Sequence, residues 1–335
     1  MTQFRIFFIK SKIFFKHDRH GFSLIEMSIV LAVIALIVGG VLVGKTLIDS
    51  SRINAQIAQI EKYKSAVNLF KTKYNYMPGD MPDPKASSYG FHRSTGCNNY
   101  FSSGCGNGNG TVDGAEIGGE IGVTKVLSTY DFTGETHLFW LDLIDAELIG
   151  EKITEALNAN TLTYNVKEYL PAAKIGNKKY VHVWSNGIRL SQYTPIQDGK
   201  LYFALSEVNA VAGGNQFLAV TPDGYKSVFF PTIKAVDAYN IDSKIDDGLP
   251  QSGDVIAAYP GAMVGCCISA RWVGASHTPT IWSPNGWNVA TTKAVPASDT
   301  TCYDNNNTAG EVQKYSMAQN GGNNETCAIS FRHDG

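Results

Sequence analysis

The chain has 335 residues, of which 44% are hydrophobic and 17% charged, and it carries 28 basic and 30 acidic side chains. This composition excludes a disordered or collagen-like chain, and the near-neutral total excludes a strongly basic nucleic-acid binder by bulk charge. The charge is unevenly placed, because residues 1–21 hold five basic side chains and one acid, which leaves residues 22–335 with a net charge of −6. A basic leader therefore precedes an acidic body.

The first predicted element is an apolar helix over residues 22–44, a stretch of 23 residues with a single charge, Glu26. At about 1.5 Å per residue it would cross a hydrocarbon layer of about 30 Å. The basic residues precede the span, so the positive-inside rule predicts a single-pass membrane protein with a cytoplasmic amino end and an exported body.

The junction in front of this helix differs from a secretory signal peptide, whose small-residue cleavage site follows the apolar core. The leader ends in Arg19-His20-Gly21 and the apolar run opens with FSLIE. At these residues the sequence resembles the type IV pilin and pseudopilin family. The resemblance implies that a prepilin peptidase cuts after Gly21, that the new amino-terminal Phe22 is N-methylated, and that Glu26 is the acid of the fifth mature position.

The acid inside the apolar span predicts a function in assembly. Placing a carboxylate at the bilayer centre costs about 2.5 to 3.5 kcal/mol, so an acid inside the span indicates a function. Cleavage would create an ammonium group at Phe22, and Glu26 of one subunit could pair with that amine of the next as helices stack in a filament. The alternative is an uncleaved anchor in which Glu26 reaches the membrane interface.

Beyond the membrane, the helix is predicted to continue over residues 45–76 and to pack on an exported α+β head formed by residues 77–335. Apolar residues recur there at spacings of three and four, which predicts one amphipathic stripe. The stripe consists of Ile53, Ile57, Ile60, Tyr63, Val67, Phe70 and Tyr74. The prolines at positions 78, 82 and 84 are expected to stop the helix.

The head is predicted to contain an antiparallel sheet and two short helices. The periodicity predicts helices over residues 136–153 and from Thr232 to about Lys244. Short segments separated by Asn-Gly, Asp-Gly, Gly-Gly and Pro-Asp-Gly turns predict strands. These strands cover residues 180–184, 200–205, 216–220 and 226–230. Residues 73–84, 136–153 and 241–255 also resemble a group of large pilin-like proteins, which implies a pilin-like fold.

All six cysteines lie in the part predicted to be exported. An even number of cysteines in an oxidising compartment favours disulfides over metal thiolates. We expect two local bridges, Cys97 with Cys105 and Cys302 with Cys327. The adjacent pair at positions 266 and 267 is then expected to consist of small buried residues.

A Gly- and Asn-rich dodecamer from Cys105 to Glu116 follows the spacing of a calcium loop. Its oxygen donors would be Asn107, Asn109, Asp113 and Glu116. Cys105 stands where such loops carry their first Asp, which lowers the charge available to a cation. Two interpretations stay open, a calcium site or a disulfide-closed loop whose Gly and Asn residues supply positive φ angles.

A second acidic set is predicted at the end of the second head helix, and it comprises Asp237, Asp242, Asp246 and Asp247. Acids in the last turn oppose the helix dipole and need compensation. Lys244, Lys234 or a bound cation could supply it.

No catalytic motif accompanies these features, since the seven histidines lack metal-ligand spacing and G-x-S-x-G, H-E-x-x-H and phosphate-loop patterns are absent from the sequence. We therefore predict that the protein is not an enzyme. Trp272, Trp282 and Trp287 are expected either in the core or on a sugar-binding surface.

The combined expectation is a structural subunit of a type IV pilus or a type II secretion pseudopilus. Cleavage would leave 314 residues, more than the ordinary major pilins of the family, so a minor or tip subunit is expected. Expected partners are the prepilin peptidase, other pilin or pseudopilin subunits, the inner-membrane assembly platform and the lipid bilayer. The sole candidate cofactor is calcium, and the acidic body argues against nucleic acid. The rival hypotheses are a filament-tethered adhesin and an exported enzyme on an uncleaved anchor.

Overall fold

The structure of the protein is a computed structural model. The chain forms two compact units, Met1–Ser50 and Ser51–Gly335, and each unit is described by itself. The described residues are 22–93, 106–112, 116–117, 126–127, 135–153, 162–163, 165–185, 200–208, 211–212, 229–230, 232–262, 268–272, 294–299 and 301–334.

The order of elements confirms the predicted α+β class with a long amino-terminal helix and an antiparallel sheet. The helices are α1 (Leu24–Tyr74), α2 (Asp83–Ser88), α3 (Glu135–Asp145) and α4 (Ala235–Ile245). The strands are β1 (Glu116–Ile117), β2 (Val126–Leu127), β3 (Leu162–Thr163), β4 (Lys179–Ser185), β5 (Leu201–Val208), β6 (Val211–Ala212), β7 (Phe229–Phe230), β8 (Ile233–Lys234), β9 (Val255–Ile256), β10 (Ala258–Ala262), β11 (Ile268–Trp272), β12 (Tyr303–Asp304), β13 (Lys314–Tyr315), β14 (Glu325–Cys327) and β15 (Ile329–His333).

The largest sheet contains five strands in the order β4-β5-β15-β9, with β7 paired to the end of β5. Every pairing in it is antiparallel. Its last strand along the chain lies in the interior of the sheet, with Ile329 opposite Leu205 and His333 opposite Leu201. The predicted strands over 180–184 and 200–205 correspond to β4 and β5, whereas the strand predicted over 216–220 lies outside the described residues.

In the second unit, one face of α1 forms the centre of the hydrophobic core. Six residues of the predicted stripe are buried and Ile57 is half-buried. The Tyr63 ring lies 5.1 Å from the ring of Trp140 and 6.2 Å from that of Phe203, measured between centroids. Aromatic pairs at such distances add about 0.5–1.5 kcal/mol beyond their buried area, so α1, α3 and β5 are held together by one aromatic cluster.

The first helix ends upstream of the proline-rich segment. Asn75 adopts a left-handed conformation (φ 60°) and its N–H donates to the carbonyl of Lys71 at 2.8 Å, a C-cap geometry that Asn tolerates. The helix therefore ends at Tyr74. The prolines affect the next element of the chain, because Pro82 is the N-cap residue of the short helix α2.

The third helix is shorter than the sequence predicted, because it stops at Asp145 and not near residue 153. Glu147 has a positive φ of 59°. The N–H of Leu148 donates to the carbonyl of Leu143 and the N–H of Glu147 to that of Ile144, the paired bonds of a Schellman motif. The left-handed position of this motif is usually occupied by Gly, so the glutamate at position 147 did not indicate in the sequence that the helix ends there.

Hydrogen bonds from buried polar side chains attach α1 to the segment before β4. The Gln56 Oε1 accepts the N–H of Lys174 at 2.7 Å, and the Gln59 Nε2 donates to the carbonyl of Ala172 at 2.9 Å. Gln59 also reaches the Tyr63 hydroxyl at 3.0 Å. These bonds satisfy polar groups that would otherwise be costly to bury.

A buried ion pair joins α3 to the chain beyond α2. Arg93 donates from Nη1 and Nη2 to the two carboxylate oxygens of Asp142 at 2.5 and 3.1 Å, and both side chains are at most 2% exposed. The Gly79 N–H adds a third bond to this carboxylate at 2.7 Å. A Cβ at Gly79 would lie 2.3 Å from the Glu135 carbonyl oxygen, so the tight approach requires glycine.

Candidate functional site

The amino end of α1 is closed by a reciprocal hydrogen-bond pattern between Ser23 and Glu26. The carboxylate Oε2 of Glu26 accepts the backbone N–H of Ser23 at 2.8 Å and its hydroxyl at 2.9 Å. In return, the Glu26 N–H donates to the Ser23 hydroxyl at 3.2 Å. This is a capping box, which satisfies two of the backbone donors that every helix start leaves open. Glu26 is therefore held at the first turn, facing the residue that precedes the helix.

The first unit exposes a continuous apolar surface. Large hydrophobic side chains from Phe22 to Ile48 are about half to almost fully exposed, with Leu24 at 93%. By length and composition alone, α1 could cross a membrane. Exposed apolar area of this extent is unfavourable in water, so these residues require lipid or other helices as neighbours.

A comparison with known protein families matches the beginning of this segment. Residues 16–42 match the family model of the prokaryotic N-terminal methylation motif, a range that contains Gly21, Phe22, Ser23 and Glu26. The motif supports membership of the type IV pilin and pseudopilin-like family. Neither the curated proteins nor the solved structures yield a match to the chain, so the assignment of this pilin-like chain depends on its first 42 residues and its fold class.

The predicted processing residues are placed as follows. Gly21 and the leader lie outside the described residues, while Phe22 is 79% exposed in front of the capped helix. The functional prediction for Gly21, Phe22 and Glu26 stays a prediction. Ser23 was not among the predicted residues, although the S-x-x-E spacing from Ser23 to Glu26 is the sequence signature of a capping box and could have identified it.

The predicted calcium loop is organised by hydrogen bonds to buried carboxylates in its described part, residues 106–112. Asp80 is 1% exposed, and its two oxygens each accept a backbone N–H at 2.9 Å, one from Asn109 and one from Gly110. Glu135 accepts the N–H of Asn107 at 2.8 Å. Asp80 and Glu135 were not predicted as partners of this loop, because both lie far from it along the chain.

Both asparagines proposed as calcium ligands use their side-chain oxygens inside the loop. The Asn107 Oδ1 accepts the N–H of Asn109 at 2.9 Å, and the Asn109 Oδ1 accepts the N–H of Thr111 at 2.8 Å. Gly108 and Gly110 have positive φ angles, as the alternative interpretation expected of the glycines, whereas Asn107 and Asn109 do not. Asp113 lies outside the described residues, as does the side chain of Glu116. Calcium binding here stays a prediction.

In the structure, one member of the second acidic set lies apart from the other three. Asp237 lies in the first turn of α4, where the helix dipole favours an acid, and Arg52 lies 3.9 Å from it. One carboxylate oxygen from each of Asp242, Asp246 and Asp247 lies within 4.8 Å of the others. Lys244, expected as a compensating charge, donates instead to Asn54 at 2.8 Å.

Backbone and hydroxyl donors stabilise this cluster. Asp242 accepts the N–H of Gly248 at 3.0 Å and the Tyr315 hydroxyl at 2.8 Å. Asp246 accepts the N–H groups of Asp254 and Val255. Cation binding at the cluster also stays a prediction.

The buried member of the cluster predicts a dependence of stability on pH. Burial raises the pKa of Asp242 to about 7, with the neighbouring Asp247 and Asp246 adding to the shift. Between about pH 4 and 7 the native state therefore holds a proton that the unfolded state has released, so the free energy of unfolding falls as the pH rises through this window. Asp242→Asn, which mimics the neutral acid, should remove about 1 to 3 kcal/mol of that fall.

Denaturant unfolding of both proteins at pH 4.5 and pH 8 measures this effect. The two proteins should differ in stability most at pH 8, where Asp242→Asn is the more stable. An identical pH dependence in both proteins would contradict a raised pKa at Asp242.

The structure contains the predicted Cys302–Cys327 disulfide. Both cysteines are fully buried, and the bridge joins the segment before β12 to β14. Closing a loop of this length contributes about 2–4 kcal/mol through the unfolded state. The other predicted bridge, Cys97 with Cys105, and the pair at 266 and 267 lie outside the described residues.

A histidine and a serine meet in the sheet without forming an accessible site. The His182 Nε2 lies 3.1 Å from the Ser206 hydroxyl, and both side chains are buried. Burial lowers the pKa of His182 to about 3, so the ring is neutral at physiological pH. A substrate could not reach this pair, and we assign it to packing between β4 and β5. Trp272 lies in β11, and Trp282 and Trp287 lie outside the described residues.

Proposed function

We propose that this chain is a prepilin-like structural subunit, cleaved after Gly21 and assembled through α1 into a type IV pilus or a type II secretion pseudopilus. The observation that carries the proposal is the match of residues 16–42 to the methylation motif, placed at the start of an exposed apolar helix. The prepilin peptidase would remove the leader, and methylation would occur on the new amino group of Phe22. The acidic body is then exported, since the positive charges precede the span.

The capping box defines the hydrogen bonds of Glu26 before the subunit assembles. Before assembly, the N–H and hydroxyl of Ser23 satisfy the Glu26 carboxylate, which lowers the cost of holding an acid in the membrane. During assembly, the Phe22 amine of a second subunit would join or replace these donors with a full positive charge. A charged donor binds a carboxylate more strongly than neutral donors do.

The size of the body favours a minor or tip position. The mature chain would have 314 residues, and the fold includes several small strand pairs besides the main sheet. A shaft repeats one subunit at close spacing, which a large head hinders.

The experiment that tests the proposal is processing. Coexpressed with a prepilin peptidase, the protein should lose 21 residues and begin at Phe22, whereas Gly21→Leu should retain its leader because the protease must approach the backbone at that point. Amino-terminal sequencing and intact mass measure the cleavage. Gly44→Leu is a matched control, since a Cβ at Gly44 meets no atom within 4 Å, and it should be cleaved normally.

Assembled filaments supply the contradicting outcome. If protein sheared from the cell surface still begins at Met1, or if Gly21→Leu is cleaved as fast as wild type, the proposal is wrong.

A further inference from the structure

We propose that Asn306 is a site of N-linked glycosylation. Asn306-Asn307-Thr308 is an N-x-T sequon, the acceptor pattern for transfer of an oligosaccharide to an asparagine amide in an exported protein. The function proposed above does not use this site. The inference needs export of the head, but it needs neither cleavage at Gly21 nor assembly into a filament.

Three asparagines follow one another here, and the structure gives them different roles. Asn305 is 5% exposed, and its Oδ1 accepts the N–H of Val295 at 2.8 Å while its Nδ2 donates to the carbonyl of Glu311 at 2.8 Å. Asn306 and Asn307 are exposed. Only Asn306 has a threonine two residues later. The buried neighbour therefore anchors the loop, and the sequon asparagine is presented to solvent.

The loop presents this asparagine on a tight turn. Asn306 and Asn307 both have left-handed backbones (φ 52° and 61°), and the N–H of Thr308 donates to the Asn305 carbonyl at 3.0 Å. This resembles a type I′ turn with the two asparagines at its central positions. The Asp304 Oδ1 accepts the N–H of Asn306 at 3.1 Å. The side chains of Asn306 and Thr308 thus project from a fixed backbone, which suits recognition by an enzyme.

The remaining sequons are less suited to this reaction. Asn324 belongs to N-E-T, but its Nδ2 is buried and its Oδ1 accepts a bond from Asn320 at 3.1 Å. Asn109 belongs to N-G-T, but its Oδ1 is bonded to both the N–H and the hydroxyl of Thr111. The buried amide of Asn324 must be released from the fold before it can react. Asn109 is exposed, but the threonine of its sequon, Thr111, is buried.

The chemistry requires a membrane oligosaccharyltransferase and an oligosaccharide linked through a diphosphate to a lipid. The Asn306 Nδ2 forms a bond to the anomeric carbon of the sugar as the bond from that carbon to the diphosphate oxygen breaks. The lipid diphosphate leaves with the electron pair, and the amide nitrogen gives up one of its two protons to the solvent. No oxidant or reductant takes part.

The test uses full-length protein purified from the membranes of the cells that naturally produce it. Reduction and trypsin separate residues 294–314, which contain Asn306, from residues 315–332, which contain Asn324. Mass spectrometry should find an oligosaccharide on the first peptide and none on the second. N306Q and T308A should each lower its occupancy at least tenfold, while T308S and N324Q should keep it.

Three results would overturn the proposal. The first is a bare 294–314 peptide from exported wild-type protein. The second is a sugar that persists in N306Q, which would place it on a hydroxyl of the same peptide. The third is a sugar confined to Asn324 or Asn109. Because protein that retains its leader can be assayed in the same way, failure of this test leaves the proposed assembly function unaffected.

Discussion

Glu26→Ala should lower incorporation of the subunit into filaments by tenfold or more while leaving the head folded. In the proposed filament, the substitution would remove the counter-charge for the amine of the next subunit and leave that amine buried and unpaired, at a cost of several kcal/mol. Among the described residues, the hydrogen bonds of Glu26 all go to Ser23, so no described hydrogen bond of the head depends on this carboxylate. The measurement is the ratio of mutant protein in sheared filaments to mutant protein in the inner membrane.

Two further variants separate charge from helix capping. Glu26→Gln preserves the acceptor of the capping box without its charge, so it should assemble almost as poorly as Glu26→Ala. Ser23→Ala removes the cap, which costs about 0.5–2 kcal/mol of helix stability, but it keeps the charge and should assemble far better. If Glu26→Gln assembles like wild type, the role of Glu26 is capping and the charge-pairing account fails.

Arg93→Met should destabilise the head by about 3–5 kcal/mol, since it leaves the Asp142 carboxylate buried without its charged partner. Asp142 is fully buried and would keep only the N–H of Gly79 among the donors described above. Unfolding can be followed by tryptophan fluorescence because Trp140, which is fully buried, lies in the same helix. The experiment uses the full chain in detergent.

The matched control is an ion pair at the surface. Lys200 lies 3.1 Å from Asp334 and both side chains are substantially exposed, so Lys200→Met should cost less than about 1 kcal/mol. The double variant Arg93→Met, Asp142→Leu should recover part of the loss, because an apolar pair of similar volume is often as stable as a buried ion pair. An equal loss in Arg93→Met and Lys200→Met would show that burial does not matter here.

The sequence predicted best where a single period repeats over many residues. The stripe from Ile53 to Tyr74 identified the buried face of α1, because one helix face packs against one core. The strands β4 and β5 were found for a different reason, because both are short apolar segments on either side of a stretch that contains Asn-Gly and Asp-Gly turns. The Cys302–Cys327 bridge was found because its partners are only 25 residues apart in the sequence.

The missed features depend on contacts between distant residues or on unusual backbone positions. Nothing local marks Arg93 and Asp142 as partners, since 49 residues separate them. The same holds for Asp80, whose role appears only when the loop at Asn109 folds over it. Glu147 ends α3 in a conformation normally given to glycine, so a rule based on residue type placed the end of this helix too late.

If the body is exported as proposed, the position of β15 in the main sheet determines when that sheet can form. β5 emerges well before β15, yet it pairs with β15 along the whole of that strand, and β9 pairs with the other edge of β15. In the proposed export, β5 and β9 would lack their common partner strand until residue 333 has crossed the membrane. Until then, β4 and β5 would expose to chaperones and proteases apolar side chains such as Phe203 and Val183, which are buried in the folded head. A premature stop only a few codons before Ile329 should therefore yield a degraded protein and not a shortened subunit.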